Sequence, residues 1–572
     1  MIRIRNDEFI RRRNTNMTEQ QLIGHWPLRQ DARDVAGENH GVAHDVTFVD
    51  SPGDPVEGAA HFSRPGSRIE VPDTHDLRLA NSDFSFAAWV RCDTPMRGAF
   101  GEVLSKFDPE GRCGLNLQIA GSTAGYSSMS DARHIHFGID DGYVGPWTDC
   151  GKPWPSNSLV SALVAFDGDL YASIADADDP MDAARVFRWV GDADWEDCGR
   201  LGSDPGHLSV QSMIVHDGRL YAGTGVWDWL RSSGDGFEPA LSRVFVYEGG
   251  REWRDLGPVG ASVRVLSLAS FEGELYAGLD RVGGGHCFKH DGQSWIDCGA
   301  PDGDNFENLF PVDGVLYGAT HKNHYRYEGD QTWTCISREP HGITQTHAFQ
   351  AYQGKLWAGT WPQGYVLRLE DGAWTNTGRL GIPEGEHAEI NEINNMIAYN
   401  GKLYAGVIPK AQVWRYETDG HWTLMNSLAS RPDYAVDEGA SWCRVPTMTA
   451  FQGRLFAGTG SCISRAIDVD ADDTLGRVLA TELGQVVSHD HDIGADWTHV
   501  AAIRQGKELQ LFVNGEHAAK SLAPKGHSFD LTNPLPLTIG AGPQGAFAGR
   551  IADLRLYRGA LSAEQAMALA SA

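Results

Sequence analysis

Gly218-Arg-Leu-Tyr-Ala-Gly223 and Gly354-Lys-Leu-Trp-Ala-Gly359 are two copies of the short segment that decides the fold. Seven such hairpin segments occur, beginning at Gly168, Gly218, Gly273, Gly314, Gly354, Gly401 and Gly453. A second series is centred on tryptophan, often within Trp-x-Asp-Cys-Gly, at Trp147, Trp195, Trp253, Trp295, Trp333, Trp374 and Trp422. A repeat of about 40–50 residues with four short strands per copy is typical of a β-propeller.

The two series are out of phase, and the offset predicts how the ring closes. Trp147 precedes the first hairpin, whereas no tryptophan of the series follows the hairpin at Gly453. We therefore expect the strand around Trp147 to complete the blade that contains Gly453, so that one blade is built from both ends of the repeat. The sequence predicts a seven-bladed, velcro-closed propeller.

Residues on both sides of the repeat look like two halves of another β-domain. Strand-like segments occur in this order: Leu22–Leu28, Phe84–Val90, His134–Phe137, Trp497–Ala502, Leu511–Gly515 and Gly549–Tyr557. Phe84–Val90 alternates with a period of two residues, as a strand of a two-sheet sandwich requires. Together the segments resemble the laminin-G-like (concanavalin-A-like) jelly roll. In that family a strand like His134–Phe137 leads almost directly to one like Trp497–Ala502, which implies that the propeller is inserted into a loop of the jelly roll.

The expected fold class is thus all-β, a seven-bladed β-propeller inserted into a laminin-G-like β-sandwich. The predicted boundaries are an N-terminal extension, disordered or from a misassigned start, at 1–20, jelly-roll halves at 21–142 and 491–572, and the propeller at 143–490. A velcro-closed ring brings its chain ends together, which suits insertion into an exposed loop. We therefore expect short junctions and two domains in contact.

Composition limits the partners. The formal net charge of −28 argues against a nucleic acid or an anionic membrane as the main partner. No apolar run is long enough to span a membrane, and Met1–Arg13 lacks the apolar core of a secretory signal. The nine cysteines are scattered without metal-binding spacing. A cytoplasmic location is expected, with export by a route not visible in the sequence as the alternative; the oligomeric state is left open.

Aligning the repeats on the hairpin glycine predicts a polar site where the innermost strands begin, a face called here the mouth. Five residues before the glycine the column is apolar and reads as core. Seven and nine residues before it, the columns become polar and supply Glu307, His347, Asn394, Arg264, Asn305, Gln345, Glu392 and Arg444. Loops after the second strand of each blade should add Trp227, His321, Lys322, Trp361 and Lys410 at the same face.

These residue types suggest chemistry on a carbohydrate. His347, His321, Glu307 and Glu392 are candidate catalytic groups, because imidazoles and carboxylates move protons near neutral pH. The arginines, lysines and amides would bind an anionic oligo- or polysaccharide, and Trp227 and Trp361 would stack on its rings. The sequence thus predicts a polysaccharide lyase or glycoside hydrolase acting at the mouth. The alternative is a non-catalytic glycan- or protein-binding protein. Sialidase and kelch repeat motifs are absent.

Two further expectations concern the mouth and the jelly roll. His347 and Arg444 are placed at strand starts, so their replacement by Ala should cost no more than about 1 kcal/mol of stability. A His347 buried against a neighbouring blade would contradict the assignment of the site to the mouth, and the site would then have to be sought on the jelly roll or at the interface between the domains. The likeness to laminin-G-like domains, some of which hold calcium at the sheet rim, suggests Asp34 and Asp553 as contributors to a structural Ca²⁺ site. No cofactor is expected to be required.

Overall fold

A computed structural model describes residues 20–50, 55–94, 101–121, 123–124, 128–157, 159–175, 179–226, 239–383, 388–429, 442–461 and 475–571. Within these ranges the chain is almost entirely β-structure, which confirms the predicted all-β class. The predicted N-terminal extension lies outside them, apart from residue 20. None of the helices in the described part is both long and apolar enough to cross a bilayer.

The strands are numbered in chain order. The first part of the chain forms β1 (Gln21–Trp26), β2 (Val42–His44), β3 (Thr47–Asp50), β4 (Gly58–Phe62), β5 (Arg68–Val71), β6 (Phe84–Cys92), β7 (Gly101–Asp108), β8 (Cys113–Ala120), β9 (Thr123–Ala124), β10 (Ser128–Met129) and β11 (His134–Val144).

The middle part forms β12 (Thr148–Asp149), β13 (Leu159–Phe166), β14 (Asp169–Ala175), β15 (Arg185–Gly191), β16 (Asp194–Arg200), β17 (Ser209–His216), β18 (Arg219–Gly225), β19 (Arg243–Gly249), β20 (Glu252–Pro258), β21 (Val265–Phe271), β22 (Glu274–Leu279), β23 (Cys287–His290), β24 (Trp295–Asp297), β25 (Phe306–Val312), β26 (Val315–Thr320), β27 (Asn323–Gly329), β28 (Thr332–Arg338), β29 (Gln345–Tyr352), β30 (Lys355–Trp361), β31 (Tyr365–Glu370), β32 (Ala373–Arg379), β33 (Glu392–Tyr399), β34 (Lys402–Ile408), β35 (Gln412–Thr418), β36 (His421–Ser427), β37 (Arg444–Phe451), β38 (Arg454–Gly460) and β39 (Val478–Thr481).

The last part forms β40 (Leu483–His489), β41 (Thr498–Gln505), β42 (Glu508–Val513), β43 (Glu516–Lys520), β44 (Leu537–Ile539), β45 (Ala541–Gly542), β46 (Gly545–Ala546), β47 (Gly549–Arg558) and the helix α1 (Ala563–Ala570). Short 3₁₀ turns lie at His75–Leu77, Pro340–Gly342 and Ala388–Ile390.

Strands β12 to β39 form the propeller. Antiparallel pairing groups them into units of four: β13–β16, β17–β20, β21–β24, β25–β28, β29–β32 and β33–β36 are units 1 to 6. Unit 7 is β37, β38, β39 and β12. The first strands of consecutive units contact one another, and β37 contacts β13, so these described strands close a ring.

Unit 7 joins the two ends of the inserted segment. Its fourth strand is β12, where Thr148 pairs with Ala480 and Asp149 with Leu479 of β39. The three preceding strands of this unit come from the far end of the segment. This is the pairing expected from the phase offset between the glycine and tryptophan series.

Contacts between fourth strands explain the Trp-x-Asp-Cys-Gly repeat. The indole of Trp195 donates to the carbonyl of Cys150 at 2.8 Å, and that of Trp333 donates to Cys298 at 2.9 Å. Within the motif, Asp297 Oδ1 accepts from Gly299 N at 2.7 Å. Gly299 has φ +90°, and a Cβ there would meet the carbonyl oxygen of Gln331 in the next unit at 2.6 Å. Each part of the motif therefore helps to seat one unit against its neighbour.

The remaining strands form a two-sheet jelly roll from both ends of the chain. One sheet has the order β3-β4-β47-β6-β41-β42-β43 with β1 paired to β47, and the other has the order β2-β5-β44-β7-β8-β11-β40 with β45 and β46 beside β7. Inner faces meet in an aromatic core, in which the rings of Phe84 and Phe137 are 6.1 Å apart. Helix α1 covers Ala87, Ala501 and Phe512 on the outer face of the first sheet.

The junctions between the domains are short. Strand β11 ends at Val144 and β12 begins at Thr148; at the other end β39 finishes at Thr481 and β40 begins at Leu483. Strand β40 pairs with β11 and is thus a jelly-roll strand, although it falls inside the range 143–490 predicted for the propeller.

A jelly-roll segment enters the ring from the side opposite the mouth. Strands β9 and β10 contact the first strands of units 1, 2, 3, 4 and 7, and Met129 pairs with Ala269. Ser130 Oγ accepts from Val215 N at 3.0 Å, and Asp131 Oδ2 accepts from Ser270 Oγ at 2.9 Å. The jelly roll therefore packs into the far end of the propeller channel, which the sequence analysis did not predict.

Candidate functional site

A register irregularity recurs in all seven described first strands and positions the candidate residues. In six strands the skipped residue is the one seven positions before the hairpin glycine: Ser161, Gln211, Leu266, Glu307, His347 and Asn394. In β37 the irregularity lies between Arg444 and Thr447. A β-bulge leaves the extra residue outside the ladder and redirects its side chain. In these six strands the residue seven positions before the hairpin glycine therefore lies in a β-bulge near the mouth.

Three neighbouring units place an acid–imidazole–acid row at this level. His347 Nδ1 of unit 5 lies 2.8 Å from Glu307 Oε2 of unit 4. His347 Nε2 lies 3.4 Å from Glu392 Oε1 of unit 6 and 2.8 Å from Gln345 Oε1. Exposed fractions are 4% for Glu307 and Glu392 and 5% for His347. These three residues, called here the mouth row, were all predicted candidates, but they are buried.

Burial and pairing fix the charges in the mouth row. Burial alone would raise the pKa of Glu307, but the imidazoles of His347 and His321 hold that pKa well below its ordinary value of 4.5. Burial alone would lower the pKa of His347, but the carboxylates of Glu307 and Glu392 raise that pKa above its ordinary value of 6.5. Glu307 is thus ionised and His347 tends to be the charged imidazolium. The raised pKa of His347 disfavours the role of proton acceptor that the sequence suggested.

The structure corrects the expected cost of truncating His347 or Arg444. Arg444 is 7% exposed, and its Nη1 lies 3.9 Å from Glu392 Oε1. His347 is buried between residues of two neighbouring units. Removing either leaves a buried carboxylate with less compensation, which costs more than the 1 kcal/mol expected for an exposed residue. His347 is thus buried against both neighbouring units, which is the outcome stated above as contradicting an assignment of the site to the mouth through this residue.

His321 and Asn305 form the part of the site next to Glu307. His321 Nε2 lies 2.8 Å from Glu307 Oε1, and its Nδ1 lies 3.3 Å from Asp304 Oδ1. Asn305 Nδ2 lies 2.5 Å from the same Nε2. With its side chain 14% exposed, His321 is more accessible than His347. The structure thus brings together His321, Asn305 and Glu307, as predicted from the columns and the loop.

Arg264 is paired with a carboxylate that was not among the predicted site residues. Its Nε donates to Asp280 Oδ2 at 3.1 Å, and Asp280 Oδ1 accepts from Ser262 Oγ at 2.7 Å. Asp280 is 0% exposed. Asp280 lies directly after β22, in the loops that follow the second strand of each unit. Its position in the repeat could therefore have identified it as a residue of the mouth.

Asn394 and Trp361 carry polar atoms near the mouth that lack a hydrogen-bond partner among the described residues. Asn394 Nδ2 donates to Glu392, while its Oδ1 has no partner. Trp361 pairs with Gln345 at the end of β30, and its Nε1 has no partner. Gln211 lies at the equivalent β-bulge of unit 2, and its Oε1 also has no hydrogen-bond partner among the described residues. Gln211 was in the alignment but not among the predicted site residues.

The other predicted residues stand apart or cannot be assessed. Lys322 forms an exposed ion pair with Glu339, at 2.5 Å between Nζ and Oε1. Lys410 follows β34 and is half-buried, and no described contact joins it to the mouth row. Trp227 lies outside the described residues.

The predicted calcium residues do not fit a calcium ion. Asp34 Oδ1 accepts from the backbone N–H groups of His25 and Ala36, both at 2.9 Å, and Oδ2 accepts from Asn39 N at 3.1 Å. Asp553 Oδ1 lies 2.7 Å from His25 Nε2, and its Oδ2 lies 2.9 Å from Arg555 Nη2. Both carboxylates are thus used by internal donors, whereas calcium needs six to eight oxygen ligands.

Comparison with known families identifies the jelly roll. Residues 439–567 match the family model described as the concanavalin A-like lectin/glucanases superfamily. The matched range includes the second half of the jelly roll, in agreement with the resemblance seen in the sequence. No curated protein matches the chain.

Solved structures with similar architecture are distant. The extracellular domain of BT4673, a putative hybrid two component system from B. thetaiotaomicron, is 14% identical with TM-score 0.40; the match covers 56% of this chain and 39% of that one. A virginiamycin B lyase from Staphylococcus aureus is 9% identical with TM-score 0.41, over 59% and 99%. A PQQ-bound aldose sugar dehydrogenase from Streptomyces coelicolor is 14% identical with TM-score 0.34, over 60% and 98%. At such TM-scores these likenesses say nothing about what the chain binds.

Proposed function

We propose that the protein is a carbohydrate-active enzyme that binds a saccharide at the propeller mouth and cleaves it there. The observation that carries the proposal is the set of polar atoms near the mouth without a protein partner: Asn394 Oδ1, Gln211 Oε1 and Trp361 Nε1. Buried polar groups are normally hydrogen-bonded, and an exception calls for an explanation such as a water or a ligand. Sugar hydroxyls both donate and accept, so they suit two acceptors and one donor. The lectin-like family of the jelly roll supports the same class of ligand.

Charge balance at the mouth favours hydroxyl recognition over recognition of an acidic sugar. Arg264 faces the carboxylate of Asp280, and Arg444 approaches that of Glu392. His347 lies between Glu307 and Glu392. An acidic sugar would have to compete with these internal carboxylates for the same cations. The proposal therefore puts neutral glycans before the anionic glycans suggested by the sequence.

In the proposed hydrolysis Glu392 relays a proton from the His347 imidazolium to the departing sugar oxygen, while a water molecule adds to the sugar carbon and its released proton returns to the mouth row. Glu392 is the first residue of β33 and hence closer to the mouth than Glu307 and His347 on their strands. His347 Nε2, 3.4 Å from Glu392 Oε1, is placed to resupply the proton. Glu307 keeps His347 charged through the 2.8 Å contact with Nδ1. In this scheme His347 and Glu307 are positioning residues, and general acid catalysis of this kind contributes about 10²–10⁴-fold.

A screen of the full chain against neutral, uronate-containing and sulfated polysaccharides tests the proposal. New reducing ends without ultraviolet absorbance indicate hydrolysis, and an unsaturated, absorbing product indicates β-elimination. We expect hydrolysis of a neutral glycan, and Glu392→Gln should lower kcat by at least about 10²-fold while KM changes little. Glu252→Gln, at an exposed position on the fourth strand of unit 2, is the matched control and should retain full activity.

The other outcomes are informative as well. Binding without cleavage, lost in Asn394→Ala, would favour a non-catalytic glycan-binding protein, since the partnerless atoms serve binding as well as catalysis. Cleavage that is unaffected by Glu392→Gln would remove the mouth row from the reaction. Absence of binding to every glycan class would overturn the proposal.

A further inference from the structure

Two histidines and an aspartate meet in the interface between the domains, far along the chain from the mouth residues. His134 and His136 lie on β11, two residues apart, so their side chains share the strand face. Asp490 directly follows β40, the strand paired with β11. One ligand-type atom from each of the three lies within 4.8 Å of the other two. This cluster, called here the junction triad, forms no part of the mouth.

His134 and Asp490 are buried and His136 is partly buried, and each carries one polar atom without a hydrogen-bond partner among the described residues. His134 is 2% exposed and Asp490 is 6% exposed. The Nε2 atoms of both histidines and Oδ1 of Asp490 have no hydrogen-bond partner among the described residues. A buried polar atom without a partner costs about 1–3 kcal/mol. Three such atoms, in side chains whose ligand-type atoms lie within 4.8 Å of one another, require a common explanation.

We propose that the junction triad binds a divalent transition-metal ion, with zinc as the ion of best fit. Two imidazole nitrogens and one carboxylate oxygen are a donor set that zinc accepts, and zinc keeps a fourth position for water in sites with three protein ligands. Calcium and magnesium prefer sites made of oxygen atoms, so the two imidazoles select against them.

The surroundings provide space and support for the ion. His134 and His136 line a cavity of about 50 Å³ between the domains, which exceeds the ~10–15 Å³ that one water needs. Gln350 and Gln544 line the same cavity, and each has an Oε1 without a partner. These amide oxygens suit a metal-bound water as hydrogen-bond acceptors. Asp490 Oδ2 accepts from Ser488 Oγ at 3.0 Å and from Gln452 N at 2.9 Å, which orients the carboxylate.

The position suggests what the ion does. The histidines precede the inserted propeller and Asp490 follows it. The backbone oxygen of Asp490 accepts from Gly168 N in unit 1, and its side chain accepts from Gln452 N in unit 7. A metal ion at this point would tie together both jelly-roll strands and the two units at which the ring closes. We assign the ion a structural role, because its ligands come from chain segments on both sides of the inserted propeller.

Metal analysis of the purified full chain tests the proposal directly. After prolonged dialysis against a chelator and then against buffer, zinc titration followed by native mass spectrometry should give one ion per chain. The thermal midpoint should rise by several degrees with zinc and stay unchanged with calcium or magnesium. Cobalt substitution should give the visible absorption bands of a site with nitrogen and oxygen ligands.

Substitutions in the junction triad test whether these side chains bind the ion. His134→Gln and His136→Gln should each weaken zinc binding by at least 10²-fold and abolish the thermal shift. His75→Gln, whose ring is 95% exposed, is the matched control and should bind zinc like the wild-type chain. If a triad variant fails to fold, the stoichiometry and cobalt spectrum of the wild-type chain still decide the matter.

Three results would overturn the proposal. They are a wild-type chain that takes up no zinc after long incubation, zinc binding that survives both triad substitutions in a folded protein, and a thermal shift produced by calcium rather than zinc. None of them bears on glycan cleavage at the mouth, so the two proposals fail separately.

Discussion

The charge states of the individual side chains in the mouth row depend on one another. His347 supplies the positive charge between two buried carboxylates, at 2.8 Å from Glu307 and 3.4 Å from Glu392. Its burial could not be read from the alignment, because alternation along a strand does not show a bulge. The residue types were predicted from the sequence, whereas their pairing across neighbouring units depends on how the blades pack.

Replacing His347 by Gln should destabilise the protein by about 3–5 kcal/mol, since it removes the cationic group between two buried carboxylates and leaves each of them with less compensating charge. His75→Gln, at an exposed ring, should change the free energy of unfolding by less than about 0.5 kcal/mol. Urea unfolding of both variants measures the difference. A loss of under 1 kcal/mol in His347→Gln would mean that His347 is uncharged in the folded protein.

The comparison of wild type with His347→Gln should also reveal the pH range in which His347 stabilises the fold most. The raised pKa of His347 gives stability that is complete below 6.5 and is lost as the pH rises through the folded-state value. The lowered pKa of Glu307 gives stability that is present above 4.5 and is lost as the pH falls. The stability gap between wild type and His347→Gln should therefore be greatest between pH 4.5 and 6.5. A gap that grows steadily with pH would contradict these charge states.

Contacts between neighbouring units explain why the Trp-x-Asp-Cys-Gly motif recurs. In Trp195-Glu-Asp-Cys-Gly199 the indole donates to the Cys150 carbonyl of the preceding unit, Asp197 accepts from Gly199 N, and Gly199 allows the close approach of the Arg251 carbonyl of the next unit. The repeat and its ring closure could be predicted because these contacts recur at fixed spacing. The bulges could not, since they have no residue type in common: Ser161, Leu266 and Glu307 occupy the same place.

Gly299→Ala tests the motif. At φ +90° the new Cβ would meet Gln331 O at 2.6 Å, so both backbone strain and a steric clash would destabilise this variant. Gly329→Ala, at φ +97° with no atom within 4 Å, carries the backbone strain alone. We expect a loss of about 1 kcal/mol for Gly329→Ala and at least about 2 kcal/mol for Gly299→Ala, from urea unfolding midpoints. Equal losses would show that the units are not seated through this glycine.

The molecule as a whole is held together by more than its two junctions. The jelly roll closes across both ends of the chain and sends Ser128–Asp131 into the far end of the propeller channel. The insertion could be predicted from the order of the sequence motifs. The plug could not, because a short polar segment between β8 and β11 has no periodicity that distinguishes it from an ordinary loop.

Asp131→Ala tests this coupling. It removes the acceptor of Ser270 Oγ and Asp217 N and the 3.4 Å contact with His216, and should cost about 1–3 kcal/mol. Tryptophan fluorescence and circular dichroism should show one coincident unfolding transition in the wild-type chain and an earlier or separated one in the variant. Two separate transitions in the wild type would show that the domains unfold independently.

Hydrogen-exchange mass spectrometry of the full chain, with and without a saccharide found in the glycan screen, tests the central claim that the mouth is the working site. We predict that the saccharide slows exchange at the starts of the first strands, in 305–307, 345–347 and 392–394, and leaves the jelly-roll sheets unchanged. Protection confined to the jelly roll, with the mouth unaffected, would contradict the account.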